Sequence, residues 1–483
     1  MKRWVPLAAC VLAAAACQDA SEPVGPRSED VFPSALLGLF PAVKIDPVLT
    51  TLLNTSSPLE RLEVVVTYDE TRTTGDAVAG ALTGSGAGII RFKHLPMVFA
   101  VATPSQIAAI TTRPGIRSVY SNKQLEYFLA QSVPGINGHL AHAKGYDGTG
   151  VGIAILDSGI DGAYNPDLKH PTRTVQNVKF LADPSDVVAF GSDVPPLASA
   201  LFVENVPTSE TSSGHGTHVA GIAAGDGTAS GAKYVGVAPG ANLIGLGAGE
   251  AIFVLWTLAG FDWILDNHET YNIQVVNNSW GSEGTFDPAD PINVATRKVY
   301  DEGISVVFAA GNSGPGANTL NPYSVAPWVI SVAAGCKTVL PDPTGSVAQC
   351  ADGRGGILAG FSSRGISGDP LYHPDITAPG VNIVSTRSIF GVTITATAIP
   401  ADLLDCAIEP GHLPYYMCIG GTSMAAPHVA GAIVLLEQAA GGDLSPDEAL
   451  DALVSSARPL PGYGRWEVGA GYLDVMAAID RVD

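Results

Sequence analysis

A serine, a histidine and an aspartate stand at glycine-rich turns where predicted helices begin or strands end. Ser423 lies in the run GTSMAAPHVAG (421–431), whose small apolar residues at helical spacing predict that it occupies the first turn of a buried helix. Free N–H groups and the positive end of the helix dipole favour a developing negative charge there. Pro427 is interpreted as part of the same first turn, where no N–H partner is needed. A serine becomes a strong nucleophile only with a base, and the base needs an orienting group.

Residues for these supporting roles occur upstream. His215 stands in GHGTHVAG (214–221), at a second glycine-framed helix start. Asp157 follows an apolar strand predicted at 151–156, and α/β sheets place their sites at the carboxyl ends of strands. Asn312 follows the predicted strand 304–309 on a glycine-rich turn, from which its amide can point into a cleft. These four residue types together suit acyl transfer, with a nucleophile, a base, an orienting acid and a donor to the oxyanion.

Four blocks resemble the signature segments of the subtilisin-type serine proteases, the subtilases. The blocks are AILDSGID, GHGTHVAG, AAGN and GTSMAAPHVAG, and they follow the family's order of aspartate, histidine and serine. The resemblance implies a serine endopeptidase that hydrolyses peptide bonds through an acyl-enzyme. Asp157, His215 and Ser423 would form its catalytic triad, and Asn312 would donate to the oxyanion. The residues that would line the substrate cleft are Ser279, Trp280 and Gly281 on one side and Ala309, Ala310 and Gly311 on the other.

Trp280 departs from the family, which commonly has a leucine at that position, so we expect an altered outer subsite. The HxxH pair of His215 and His218 could instead hold a metal, since residues three apart share a helix face. No third ligand of suitable spacing stands out, so no metal centre is predicted. His428 is expected to pack or hydrogen-bond internally. A catalytically idle binding protein is a further alternative, disfavoured because all four catalytic groups are present.

Strands and helices alternate along residues 132–483, which predicts a parallel sheet with helices on both faces. With the resemblance, the expected fold class is α/β, a subtilisin-like three-layer αβα peptidase domain with a mainly parallel sheet. The predicted strands are 151–156, 242–246, 274–278, 304–309 and 328–333, and the predicted helices are 139–145, 216–224, 252–268, 290–301 and 422–439.

The preceding segment, 58–127, has the βαββαβ order of a small α+β ferredoxin-like domain. Its phrases FAVATPSQIAAI and PGIRSVY resemble the inhibitory pro-domain of subtilases, of the inhibitor I9 type. The resemblance implies a zymogen whose own pro-domain is an intramolecular inhibitor, and self-cleavage is expected between Tyr127 and Gly135. A separate binding domain is the alternative, disfavoured because the segment directly precedes the protease.

Residues 1–17 resemble a signal peptide, with a basic start followed by the apolar run 4–16. Two alternatives remain open after export. In the first, Cys17 is lipidated, and this lipid anchor is the only link to a membrane. In the second, ordinary signal cleavage releases a freely secreted protein. Residues 18–57 begin with Gln18 and Asp19 and continue with Ser, Glu, Pro and Gly around a short apolar patch at 35–39, and they are predicted to form a disordered tether.

The net charge of −21, with charged residues at only 15%, disfavours nucleic acid and anionic membrane surfaces as partners. The expected partners are protein or peptide substrates, and the expected state is a monomer. The chemistry requires no cofactor. The family resemblance implies structural calcium, for which Asp167 or the acidic loop 182–193 would supply ligands.

Four cysteines lie outside the targeting segment: Cys336, Cys350, Cys406 and Cys418. They allow three pairings, and the nearest-neighbour choice, 336–350 and 406–418, closes two short loops. Disulfides suit an exported protein. Zinc is the alternative, disfavoured because the chain has no CxxC motif.

Overall fold

The fold is seen in a computed structural model of the chain. The targeting segment with Cys17, the acidic loop 182–193 and the side chain of Cys350 lie outside the described residues. Within the described part of the chain, no helix is both long and apolar enough to cross a bilayer. The structure describes residues 43–84, 86–122, 126–127, 132–181, 202–211, 213–249, 253–336, 339–340, 349–350, 358–391, 402, 406 and 408–483.

A small domain comes first, a five-stranded sheet with three helices. Its elements are β1 Lys44–Ile45, α1 Pro47–Thr55, β2 Leu62–Tyr68, α2 Gly75–Thr83, β3 Gly88–Arg91, β4 Met97–Ala102, α3 Pro104–Thr111 and β5 Ile116–Ser121. The strand order is β1-β5-β2-β4-β3. From β2 to β5 the chain follows the βαββαβ order that the sequence predicted.

Residues 43–57 are ordered, so the prediction of a disordered tether is wrong for this part of 18–57. Asp46 caps α1, with its Oδ1 accepting the N–H groups of Val48 (2.9 Å) and Leu49 (3.2 Å). Strand β1 pairs in parallel with β5, and Leu49 is fully buried in the core of the small domain. Composition over the whole segment concealed a local signal, an Asp-Pro cap followed by apolar residues.

The larger domain is built around one sheet of eight strands. Strand β6, Glu126–Tyr127, precedes this domain in the chain. The elements of the domain are α4 Gly138–Lys144, β7 Gly152–Asp157, β8 Thr174–Phe180, β9 Phe202–Val203, α5 His215–Ala224, β10 Asn242–Gly247, α6 Val254–Tyr271, β11 Ile273–Asn278, β12 Trp280–Gly281, α7 Pro291–Asp301, β13 Ser305–Ala309, β14 Ile330–Gly335, β15 Val339–Leu340, β16 Gln349–Cys350, β17 Ile376–Pro379, β18 Ile383–Thr386, β19 Tyr416–Ile419, α8 Thr422–Ala440, α9 Pro446–Ser456, α10 Arg465–Val468 and α11 Val475–Val482. The sheet order is β17-β14-β13-β11-β7-β10-β8-β9, with every neighbouring pair parallel except β8 and β9.

Alternate residues of the central strand β7 face two different cores. Ile153 and Ile155 belong to a core with residues of α5 and α8, whereas Ala154 and Leu156 belong to one with residues of α6 and α7. Successive side chains of a strand point to opposite faces, so the sheet is covered on both sides. The predicted three-layer αβα fold is confirmed.

The small domain shares the second of these cores. Val65, Met97 and Phe99 of its sheet lie in the same apolar cluster as Leu255 and Trp256 of α6. The small domain's sheet therefore packs on the same helices that cover one face of the larger sheet.

A disulfide joins Cys406 and Cys418, whose Cα atoms are 6.2 Å apart. This is one of the two pairs in the nearest-neighbour choice. Cys336 is also disulfide-bonded. The disulfide at Cys418 ties an insertion to strand β19, which runs directly into the glycines before Ser423.

Candidate active site

Asp157 and His215 form a fully buried pair at the carboxyl end of β7. His215 Nδ1 lies 2.6 Å from Asp157 Oδ1, which also accepts the Ser158 N–H at 2.8 Å. His215 is the first residue of α5, and Gly214 before it has φ +78°, a conformation that favours glycine. At Gly216 an added Cβ would lie 3.0 Å from the Cβ of Asp157. The glycines of GHGTHVAG thus let the start of a helix lie directly on the end of a strand.

Ser423 is the second residue of α8 and lies against the end of β11. Its Oγ donates to the Ser279 carbonyl at 2.7 Å. Strand β11 pairs with β7, so Ser423 contacts the strand beside the one that carries Asp157. The predicted start of this helix is confirmed. Asp157, His215 and Ser423 thus lie at the ends of the neighbouring strands β7 and β11.

Pro427 is the sixth residue of α8 and not part of its first turn, so that interpretation is wrong. A residue with an N–H at this position would bond to the carbonyl four residues earlier, which is that of Ser423. The Ser279 hydroxyl donates to this carbonyl instead, at 2.5 Å. A side chain from another element therefore completes the hydrogen bonding of the helix that carries Ser423.

Asn312 lies on the turn after β13, with its amide orientation fixed by Thr422. Its Oδ1 accepts both the N–H and the hydroxyl of Thr422, each at 3.0 Å. Gly311 (φ +107°) donates its N–H to the same hydroxyl at 3.1 Å. Because the amide oxygen is held by the residue before Ser423, the N–H₂ group of Asn312 is the end that points away from Thr422.

The strand Trp280–Gly281 pairs with a segment that precedes the peptidase domain. In this antiparallel pair Trp280 faces Tyr127 and Gly281 faces Glu126. A polypeptide therefore lies along this wall of the cleft as an added strand, a common way to bind extended peptides.

The Trp280 side chain does not face the cleft. It is 0% exposed, its Nε1 donates to the Leu156 carbonyl at 2.8 Å, and its ring meets Phe308 edge-on with centroids 5.0 Å apart. The expectation that this bulk reshapes an outer subsite is therefore wrong, because only the backbone of Trp280 reaches the pairing edge.

Asn321 joins the two predicted cleft walls, and the sequence did not single it out. Its Nδ2 donates to the carbonyls of Trp280 (3.1 Å) and Ala309 (3.0 Å), and its N–H donates to that of Ala310 (2.8 Å). The segments 279–281 and 309–311 are thus fixed relative to each other. The only signal was an Asn-Pro pair, which indicates a turn and not its partners.

The other histidines near the site bond internally. His428 Nδ1 lies 2.7 Å from the Met424 carbonyl, its Nε2 accepts the Ser132 N–H, and burial lowers its pKa to about 4. His218 Nε2 lies 3.2 Å from the Met417 carbonyl, and burial lowers its pKa to about 3. Among the residues that the structure describes, no group of three His, Cys, Asp or Glu side chains could hold a metal.

Asp167, a candidate calcium ligand, does not fit that role. Its Oδ1 accepts the Ala229 N–H at 2.7 Å and its Oδ2 accepts the Tyr416 hydroxyl at 2.5 Å. Burial raises the pKa of this carboxyl. Both oxygens are thus engaged within the protein, one by the turn of Ala229 and the other by strand β19.

The model of the subtilase peptidase family matches residues 148–472, about two thirds of the chain, including all four candidate catalytic groups. The chain belongs to the subtilase family. Serine protease AprX of Bacillus subtilis (strain 168) is 29% identical over 75% of this chain and 74% of the relative. Subtilisin Savinase of Lederbergia lenta is 30% identical over 64% of this chain and 86% of the relative.

Among solved structures, this subtilase is similar to fervidolysin of Fervidobacterium pennivorans, a keratinolytic enzyme related to subtilisin. The TM-score is 0.61 at 21% identity, over 91% of this chain and 63% of that one. At this identity the similarity establishes the fold alone. Family membership makes the chain a serine-type endopeptidase.

Proposed function

We propose that this subtilase is an exported endopeptidase that acts through Asp157, His215 and Ser423 and is made as a self-processing zymogen. The observation that carries the proposal is the buried 2.6 Å bond between Asp157 and His215 beside the strand end that Ser423 contacts. The substrates are proteins or peptides bound as an added strand, as supported by the β6 pairing with β12.

In this mechanism His215 takes the Ser423 proton as the hydroxyl oxygen attacks a peptide carbonyl. Asp157 holds the imidazole tautomer and stabilises its charged form. The Asn312 amide and the Ser423 N–H stabilise the oxyanion, and water then releases the acyl-enzyme. Loss of one oxyanion donor lowers kcat about 100- to 1,000-fold in subtilisin itself, which sets the scale for Asn312.

Residues 58–127 are proposed to be the inhibitory pro-domain. Their sheet shares a core with α6, and two backbone N–H groups of the small domain, those of Lys93 (3.0 Å) and His94 (2.7 Å), donate to the buried carboxylate of Asp262. Asn122, just after β5, accepts the Leu255 N–H in the first turn of α6 at 2.7 Å. These contacts support a domain that delivers β6 to the cleft.

Export is proposed from the targeting segment 1–17, and the Cys406–Cys418 disulfide supports an oxidising compartment. An intact-mass measurement of the exported protein distinguishes the two alternatives, a lipid on Cys17 and a freely secreted form without it. The exported enzyme is proposed to be a monomer that needs no cofactor.

The test compares the full chain with its Ser423→Ala variant. We expect wild type to be labelled by a fluorophosphonate and to shorten at a bond between Tyr127 and Gly135, while Ser423→Ala does neither in a protease-deficient host. Ser455→Ala, at an exposed serine of α9, is the matched control and should behave as wild type. A folded wild-type chain that takes no label would instead indicate an idle binding protein.

A further inference from the structure

A second buried carboxylate lies beside the Asp157–His215 pair. Glu210 stands on the loop before α5 and is only 3% exposed. Its Oε2 accepts the hydroxyls of Ser158 (2.8 Å) and Thr217 (3.4 Å), and its Oε1 accepts the Thr211 N–H (3.1 Å). One hydroxyl belongs to the turn that carries Asp157, and the other to the helix that His215 begins.

The hydrogen bonds continue from these two hydroxyls. Ser158 Oγ accepts the Gly216 N–H at 2.8 Å, next to His215 in α5. Thr217 Oγ1 accepts the Asp161 N–H at 3.0 Å, on the turn after β7. Each hydroxyl therefore bonds both to Glu210 and to the opposite segment, so Glu210 links the segment after Asp157 to the helix that begins at His215.

The loop that carries Glu210 is itself fixed. Ser209 and Ile160 exchange two bonds, from the Ser209 N–H to the Ile160 carbonyl (3.0 Å) and from the Ile160 N–H to Ser209 Oγ (2.9 Å). Ser209 Oγ also donates to Asn177 Oδ1 at 2.6 Å. Glu210 is thus held in place before any substrate binds.

Burial raises the pKa of Glu210, with a smaller contribution from the charge of Asp157. Burying a carboxyl group costs free energy unless its oxygens accept hydrogen bonds, as both oxygens of Glu210 do. The contacts of Glu210 are hydroxyls and backbone groups of the protein, so its effect on the reaction is indirect.

We propose that Glu210 is a positioning residue for peptide hydrolysis: through Ser158 and Thr217 it fixes the turn of Asp157 against the helix of His215. The proposal rests on the triad proposed above. Catalytic groups need placement to within about 0.5 Å, which side chains behind them provide. A looser Asp157–His215 pair would lower kcat without altering substrate affinity.

The test measures kcat and KM of the processed enzyme on a chromogenic peptide, per serine labelled by a fluorophosphonate. Glu210→Ala should lower kcat about 10- to 100-fold, the scale of a lost hydrogen bond to a carboxyl group, and leave KM within about twofold. Glu210→Gln keeps the shape and one acceptor oxygen, so it should restore kcat to within about threefold of wild type. Glu269→Ala, at an exposed glutamate of α6, is the matched control.

Ser158→Ala tests the same contact from the other side. The Ser158 bond (2.8 Å) is shorter than the Thr217 bond (3.4 Å), so Ser158→Ala should lower kcat as Glu210→Ala does, and the double variant should lose less than the product of the two single losses. Losses that multiply in the double variant, a changed KM with unchanged kcat, or a wild-type kcat in Ser158→Ala would each overturn the proposal. The Ser158 result decides it even if Glu210→Ala does not fold. A wild-type enzyme that takes no label would overturn the triad itself, which is a different failure.

Discussion

At the scale of single residues, the carbonyl of Ser423 depends on a hydroxyl from another part of the chain. Pro427 supplies no N–H to it, and Ser279 Oγ donates in its place. The same pair is joined in the other direction by the bond from Ser423 Oγ to the Ser279 carbonyl. Ser279 therefore orders both the backbone and the side chain of Ser423, the proposed nucleophile.

Ser279→Ala should leave the buried Ser423 carbonyl without a donor and lower the free energy of unfolding by about 1–3 kcal/mol. Pro427→Ala would provide the helical N–H, so Ser279→Ala should cost much less stability in that background. Denaturant unfolding of the four proteins, each carrying an inactivating His215→Ala change to prevent autolysis, measures the difference. Equal losses in both backgrounds would contradict the assigned role.

The residues predicted from sequence are those whose surroundings are local. Ser423, His215 and Asp157 are each framed by glycines and an adjacent element, so type and spacing sufficed. The orientation of Trp280 was predicted wrongly, because a strand of two residues has no alternating pattern to show which side chain is buried. The roles of Asn321 and Glu210 depend on partners far away in sequence, which no local pattern contains.

At the scale of elements, residues 43–57 form an N-terminal strap on the last strand of the small domain. Asp46 Oδ2 accepts the Ser121 N–H at 2.6 Å, at the last residue of β5. Lys44 pairs with Asp287 of the larger domain. The strap thus reinforces the strand that precedes the proposed self-cleavage region.

Asp46→Ala should loosen this strand, since it removes the α1 cap and the acceptor for Ser121. We expect the processed pro-domain to dissociate several-fold faster, because loss of such a cap costs about 1 kcal/mol. The measurement is the delay between cleavage on a gel and full peptidase activity of the full chain. Thr51→Ala is the control, since that exposed hydroxyl bonds only to the Pro47 carbonyl within α1. An unchanged delay in Asp46→Ala would refute the strap's role.

Element prediction succeeded where apolar runs were long and failed where they were embedded in polar sequence. Buried runs such as 151–156 identified the central strands to within about two residues. The strap was missed because nine helical residues and two strand residues are stable only through contacts with β5. The terminal turn of α6, up to Tyr271, was also missed.

At the scale of the whole molecule, the free energy of unfolding is expected to depend on the pH of the solution through one residue, Glu437. This residue is fully buried in α8, and burial raises its pKa from 4.5 to about 7. The folded state therefore keeps a proton that the unfolded state loses. The stabilising contribution is complete below pH 4.5 and declines as the pH rises to about 7.

Glu437→Gln should raise the free energy of unfolding by about 1–3 kcal/mol at pH 8 and change it little at pH 4.5. The comparison requires the inactive Ser423→Ala chain, unfolded in denaturant at both values. Glu302→Gln, at an exposed site, is the control and should show no such difference. An equal effect of Glu437→Gln at the two pH values would contradict the assignment.

The core that the small domain shares with α6 and α7 has a consequence for the enzyme's lifetime. During synthesis the small domain leaves the ribosome first and offers its apolar face to helices that are made later. If the proposed processing removes that domain, the protease has no such surface on which to refold. Its durability is then a half-life set by the height of the unfolding barrier, and an apparent melting temperature will change with the rate of heating.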